Sequence, residues 1–269
     1  MSNPVEGSKY LFEKNNLKIY LYKSDTLTPE EEKRVIVLMV VGQTGSGKTT
    51  LLKAFINYIL KIKYQDDFRY HIINENFGTK QDKSKITKAT IYNIKASDGT
   101  KIPIVDTQGF WDTEVLKKIW NNKKLRQAFI DKLSSITCIC FVAQSCNARL
   151  SANQKYIFKY ILDFFGDEVK SNFTCMLTFC DGTKPVIIDS LQRKEFMFHE
   201  IIPYIENPWF YKFNNSGIFE KDVENEFNKF FFKLGMKSFE DFTLRIKKLK
   251  KISLSKSKEV LQERQHLEK

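Results

Sequence analysis

Apolar residues gather along this chain in short runs that alternate with segments of helical spacing. VIVLMVV, from Val35 to Val41, is a continuous apolar run of the kind shown by a strand buried on both faces of a mostly parallel sheet. A glycine-rich turn follows, and after it Leu51, Leu52, Phe55, Ile56, Ile59 and Leu60 recur with helical spacing. The next stretch, up to Lys85, is polar and irregular and predicts no regular element. ATIYNIKASDGTKIPIVDT then reads as two strands joined across Asp98-Gly99, a dipeptide favoured in tight hairpins, so one antiparallel pair enters the sheet. Further strands are predicted at ITCICFVA (Ile136 to Ala143), FTCMLTFC (Phe173 to Cys180) and WFYKFN (Trp209 to Asn214), separated by helical segments such as ANQKYIFKYILDFF. This alternation predicts an α/β fold, a doubly wound and mostly parallel sheet with ligand loops at the carboxyl ends of its strands.

Two segments flank that core. LKIYLY (Leu17 to Tyr22) alternates like a short strand within an N-terminal extension, residues 1–34. Beyond Gly235 the pattern predicts one long basic helix to Lys269, with Phe242, Ile246, Leu249, Val260 and Leu267 along a seam broken by Ser253, Lys256 and Glu263. A seam so interrupted favours a helix docked on the domain or extending from it over a coiled coil. The expected division is therefore residues 1–34, a central domain 35–235 and a basic helical extension 236–269.

Composition narrows the class. The 42% hydrophobic and 14% aromatic content belongs to a globular chain and excludes a disordered one. A net charge of +12 raises nucleic acid or an acidic surface as a partner, but much of it is local: Leu244 to Lys258 holds seven Lys/Arg and no acid. That run reads either as a solvated helix face or as a contact for a protein or an acidic membrane. It lacks the interleaved aromatics of single-strand readers, which disfavours nucleic acid. The N-terminal stretch MSNPVEGSKYLFEK lacks the basic flank and continuous apolar stretch expected of a signal peptide, and no apolar run approaches the length of a transmembrane segment. Cys138, Cys140, Cys146, Cys175 and Cys180 sit in or beside apolar runs without zinc-site spacing, as buried thiols of a reducing compartment would. The expected location is cytoplasmic, or peripheral at a membrane.

The chemistry starts at Gly42-Gln43-Thr44-Gly45-Ser46-Gly47-Lys48-Thr49, which fits G-x-x-x-x-G-K-[ST] between a buried strand and an amphipathic helix; Thr50 follows it. Glycines let the backbone curl so that successive N–H groups face phosphate oxygens, and the helix N-terminus adds its positive end. Lys48 would neutralise the β and γ phosphates, and Thr49 would place its hydroxyl on Mg²⁺. The motif alone does not separate ATPases, GTPases and small-molecule kinases.

Three later segments do. Asp106-Thr107-Gln108-Gly109 ends the strand KIPIV and matches D-x-x-G, in which the aspartate holds Mg²⁺ and the glycine N–H meets the terminal phosphate. Thr178-Phe179-Cys180-Asp181 ends the strand FTCML, where GTPases carry [N/T]-K-x-D. A carboxylate there can accept from guanine N1 and from its exocyclic amine, a donor pair that adenine lacks. Phe179 stands where the lysine is usual, so a ring can lie against the base while the ammonium contact to the phosphate loop is lost. Asn214, Asn215 and Ser216 end the last strand, where GTPases complete the base pocket.

In this order the four motifs resemble the septin-related branch of the translation-factor-class P-loop GTPases, nearest the immunity-associated (avirulence-induced) group, over roughly Val35 to Gly235. VGQTGSGKTTL resembles that group's VGKTGSGKSA, VDTQGFWDT its IDTPGLFDT, TFCD its T-x-x-D and FNNS its FNN ending. The resemblance implies GTP/GDP and Mg²⁺ as ligands, with Thr87 or alternatively Thr90 as the switch threonine closing on the metal. It also implies that Arg149, in SCNARLSANQ, lies near the nucleotide at a head-to-head dimer face formed by self-association in the GTP state. Gln108 replaces the family's usual proline. Phe110 follows D-x-x-G where Ras-like enzymes place a water-orienting glutamine, so a lone monomer should hydrolyse GTP slowly. Arg149 would then act in trans on a partner's phosphates or be merely a surface residue. The leading expectation is a dimer-stimulated GTPase switch; the rival is a nucleotide-held scaffold with negligible hydrolysis. An ATPase or small-molecule kinase would leave Asp181 without a purpose.

Overall fold

The computed structural model describes residues 4–23, 36–72, 90–95, 101–106, 135–221 and 225–253. Strands β1 (Lys9–Lys14) and β2 (Leu17–Leu21) open the chain, followed by β3 (Leu38–Val41), helix α1 (Lys48–Ile59), β4 (Phe68–His71), β5 (Thr90–Lys95) and β6 (Lys101–Asp106). The second half comprises β7 (Ser135–Ile136), β8 (Cys138–Gln144), α2 (Ala152–Phe165), β9 (Phe173–Thr178), α3 (Ile187–Leu191), α4 (Phe198–Ile201), β10 (Phe210–Lys212), α5 (Ser216–Phe219), α6 (Glu226–Ile246) and β11 (Ile252–Ser253).

The central sheet runs β10-β9-β8-β3-β6-β5. All its pairings are parallel except β5 with β6. The apolar run at β3 behaves as its pattern demands. Leu38 and Val40 face α1 and α6, whereas Met39 and Val41 face α2, and all four are buried. Because the strands point the same way, the loops after β3, β8, β9 and β10 gather at one end of the sheet, which is where α/β sheets hold ligands.

The sequence-predicted strands are all present but shorter. The run expected as one strand from Ile136 splits at Thr137, whose N–H and side chain both bond Val37. The stretch expected to be irregular contains β4, and β4 pairs in parallel with β2. With β1 it makes a separate three-stranded sheet, so residues 9–21 of the N-terminal extension are folded. Asn15 and Asn16, at φ 52° and 57°, turn the β1–β2 hairpin in the left-handed conformation that asparagine tolerates. Asn57 joins this sheet to α1, its amide donating to the Tyr70 carbonyl at 2.9 Å and its oxygen accepting from the Tyr70 N–H at 2.9 Å.

The C-terminal expectation needs correcting. The long helix does not run from 236 to Lys269; α6 begins at Glu226, capped by the Asn225 side chain, and stops at Ile246. It docks on the α1 side of the sheet through Phe232, Phe239, Phe242 and Ile246. It ends there because the following backbone finds better partners. Asn172 donates to the Lys250 carbonyl at 2.7 Å, and Ile252–Ser253 pairs with β7. Arg245 is not part of a solvated basic face either: it is buried and donates to the Phe173 carbonyl at 2.9 Å. Residues 254–269 lie outside the described residues. Cys146 is exposed, contrary to expectation, whereas the other four cysteines are buried. Among the described residues no helix is long and apolar enough to cross a membrane.

Arg69, on β4, is completely buried. Its guanidinium donates to the Ile218 carbonyl at 2.6 Å, to Phe68 at 2.7 Å and to Asp66 at 2.9 Å, and it lies over the Phe232 ring. Burial lowers its pKa to about 10, still charged at neutral pH. Arg69→Leu strands these carbonyls without donors and should cost about 3 kcal/mol. For a chain of this size that is a fall in Tm of roughly 10 °C, read in a thermal melt.

Candidate functional site

The turn between β3 and α1 is shaped by glycines where side chains have no room. A Cβ on Gly42 would collide with the backbone carbonyl oxygen of Val142 on the neighbouring strand β8. Gly47 sits at φ 87°, in the left-handed region, immediately before the first helical residue, Lys48. The Lys48 ammonium folds back over the loop and donates to the carbonyls of Gly42 at 2.7 Å and Gln43 at 2.9 Å. Its charge is thereby fixed above the loop rather than left on a free stem. Thr49 and Thr50 follow in the first turn of α1.

The neighbouring strand ends brace this loop. Thr178, buried at the end of β9, donates its hydroxyl to the Ser46 carbonyl at 2.7 Å. Gln144, at the end of β8, donates to the Gly45 carbonyl at 3.0 Å. Thr178, expected among the nucleotide-contacting residues, spends its hydroxyl on holding the phosphate loop. Phe179, at φ 56°, adopts a conformation that costs a bulky residue about 1–2 kcal/mol. Its ring stands beside the phosphate loop, 3.6 Å from the place a Cβ would take on Gly47.

Asp181 follows, exposed, with its Oδ1 accepting from the Thr183 N–H at 2.9 Å and hydroxyl at 2.7 Å. Those bonds hold its carboxyl below the usual carboxylate range, so it is ionised at neutral pH. Lys212 steadies the same turn through the Gly182 carbonyl at 3.2 Å. Asn214 ties the two base loops together. Its amide donates to the Cys180 carbonyl at 3.0 Å and its oxygen accepts from the Ser216 hydroxyl at 2.7 Å. Asn215 is buried, and its Oδ1 has no donor among the described residues. Ser46 Oγ, also buried, is likewise unpartnered among the described residues. One such atom therefore sits beside the phosphate loop and one beside the base loop, and six more lie elsewhere among the described residues.

Arg149 is exposed at the rim of a cavity of about 390 Å³ that it shares with Gln43, Thr44 and Ser46 of the phosphate loop. The connection is covalently short and hydrogen-bonded. Ser151, two residues on, donates its hydroxyl to Gln43 Oε1 at 2.9 Å and accepts from the Gln154 N–H at 3.2 Å, capping α2. One hydrogen bond thus links the phosphate loop to the segment carrying Arg149. The Ser-x-x-Gln capping box was readable from the sequence, but its bond to Gln43 was not.

The remaining candidates are only partly placed. Asp106 ends β6 with its backbone paired to Thr90, which puts the alternative switch threonine directly across from it. The Asp106 side chain, Thr87, Gly109, Gln108 and Phe110 lie outside the described residues.

A profile of the AIG1 family matches residues 36–226. No curated protein sequence matches the chain. Among solved structures, it is similar to Toc33 from Arabidopsis thaliana in complex with Mg²⁺ and GMPPNP, at 15% identity and a TM-score of 0.42 over 77% of this chain and 88% of that one. Toc33 with GDP and Mg²⁺ gives 15% identity and a TM-score of 0.42 over 79% and 87% of the two chains. The elongation factor SelB from Methanococcus maripaludis, in complex with the GTP analogue GPPNHP, gives 16% identity and a TM-score of 0.37 over 74% of this chain and 33% of that one.

Proposed function

The chain belongs to the AIG1 family, and from that premise we propose that it is a guanine-nucleotide switch that binds GTP or GDP with Mg²⁺ and hydrolyses GTP. The observation that carries this reading is the segment Thr178–Asp181, which is bonded to the phosphate loop at one end and presents a fixed, ionised carboxylate at the other. A nucleotide with its phosphates on Gly42–Thr49 then meets Asp181 at its base, and only guanine offers that carboxylate two donors. Cys180 and Asn214, linked at 3.0 Å, keep the two base loops at a fixed spacing.

Thr49 and Asp106 are the residues that would hold Mg²⁺, with Thr87 or Thr90 closing over it. The ion would supply positive charge to neutralise the phosphates. Lys48, fixed over the loop, adds a second positive charge where negative charge gathers on the phosphoryl oxygens. With Phe110 after Gly109, no carboxamide is available there to orient the attacking water, so the isolated monomer turns over slowly. Pairing of two G domains in the GTP state brings Arg149 of one copy towards the phosphates of the other. Gln43 and Ser151 make the position of that arginine depend on the loop that feels the nucleotide. Phe110 and Phe179 also favour a second reading, a scaffold that holds its nucleotide without appreciable turnover. The basic stretch around Lys247–Lys251 then serves as a contact for a protein or an acidic membrane.

Fluorescence titration of mant-GDP, mant-GTP and mant-ATP with Mg²⁺ tests the base assignment. Wild type should prefer guanine nucleotides, and Asp181→Ala should weaken them about 100-fold, the worth of two hydrogen bonds to a charged acceptor, without changing mant-ATP. Equal affinity of the wild type for mant-ATP would sink the reading. Turnover that stays negligible at every protein concentration would leave the scaffold.

A further inference from the structure

A second cavity, of about 350 Å³, opens where the N-terminal hairpin meets the central domain. Thr50 of α1 and Ser216 of the base loop both line it. Thr50 is the residue after the phosphate motif, and Ser216 is bonded to Asn214, which is bonded in turn to Cys180 beside Asp181. The cavity therefore touches the phosphate end and the base end of the site at once. Another wall is a run of rings in edge-to-face contact. Phe12 on β1 meets His71 on β4 at 6.0 Å and 75°, and His71 meets Phe219 on α5 at 5.5 Å and 75°. Lys14, at the end of β1, adds a cation at the hairpin.

We propose that this cavity receives the nucleoside half of the bound nucleotide, one face of the base and the ribose, so that the N-terminal hairpin is a wall of the site. The proposal rests on the guanine-nucleotide reading above. A molecule with its phosphates on the loop before Thr50 and its base edge at Asp181 must span the gap between α1 and the base loop, and this cavity lies along that gap. Its volume falls in the usual range of about 300–1,000 Å³ for small-molecule sites, and rings beside a few polar groups suit a heterocycle joined to a sugar. The family match begins at residue 36, after the hairpin. Phe12 and Lys14 thus lie outside the matched segment. They make nucleotide binding depend on residues that precede it.

Calorimetric titration of GDP and of inorganic pyrophosphate separates the two halves of the ligand. Phe12→Ala should weaken GDP about tenfold and leave pyrophosphate within twofold, because the ring meets only the nucleoside. Tyr10→Ala, on the same hairpin but exposed and outside the cavity, should change neither. As a measurement that needs no variant, hydrogen exchange on the wild type should show GDP, but not pyrophosphate, protecting the amides of residues 9–21. GDP binding unchanged within twofold in Phe12→Ala, or equal protection by the two ligands, overturns the proposal while leaving Asp181 intact. If the wild type binds GDP no better than pyrophosphate and Asp181→Ala changes nothing, the guanine reading falls and this inference falls with it.

Discussion

Lys48→Ala is expected to abolish nucleotide binding at micromolar concentrations, weakening GTP and GDP by on the order of 10³, because truncating one partner of a hydrogen-bonded charge pair costs about 2–5 kcal/mol. Two losses combine. The ammonium that would meet the β and γ phosphates disappears, and so do its bonds to the Gly42 and Gln43 carbonyls, which shape the unliganded loop. Lys48→Arg should not rescue binding. A planar guanidinium cannot occupy the position of a compact ammonium that fits two carbonyls of one tight turn. The measurement is calorimetric titration of GDP, with a thermal melt to separate binding from folding. The residue is partly exposed, so the melt should move little. Micromolar GDP binding by Lys48→Ala would mean that the loop is not the phosphate site.

Arg149→Ala should remove the part of GTP turnover that rises with protein concentration, a loss on the order of 10³ if the arginine stabilises transition-state charge as trans-acting arginines do. Affinity for GDP should stay within a few-fold, since the side chain stands at the cavity rim, exposed. Mixing decides the direction of action, provided both copies carry GTP. Arg149→Ala loaded with labelled GTP is mixed with an excess of wild type loaded with unlabelled GTP. If Arg149 acts on the partner's phosphates, the wild type speeds hydrolysis of the label held by Arg149→Ala. If it acts only within its own chain, the label is lost as slowly as from Arg149→Ala by itself.

The parts of this molecule that were legible in the sequence were those set by local periodicity. The continuous apolar runs at β3, β8 and β9 give the buried parallel strands, and α2 begins and ends where its helical spacing does. The phosphate loop was legible because its glycines are dictated by backbone conformation and close approach, which depend on few neighbours. β4 was not. Its four residues, FRYH, include a charge, and Arg69 is buried only because carbonyls from Tyr64 to Ile218 converge on it, far apart in sequence. The end of α6 was missed for a similar reason. The Lys-rich pattern continues past Ile246, yet Asn172 and β7 capture the backbone beyond it. Thr178 shows the same limit within the site. Its residue type suited a base pocket, but the geometry of Ser46 decides what its hydroxyl does.

The pairing of β11 with β7 also gives the domain a polarity. β7 precedes β8, so it lies at the amino end of the parallel strands, and the seven residues of β8 carry the sheet about 20 Å from there to the phosphate loop. The chain passes Ser253 at this far pole, beside the exposed lysines 247, 248 and 250. The phosphate loop and the rim bearing Arg149 stand at the opposite end of the sheet, so a contact made at Ser253 would leave both uncovered.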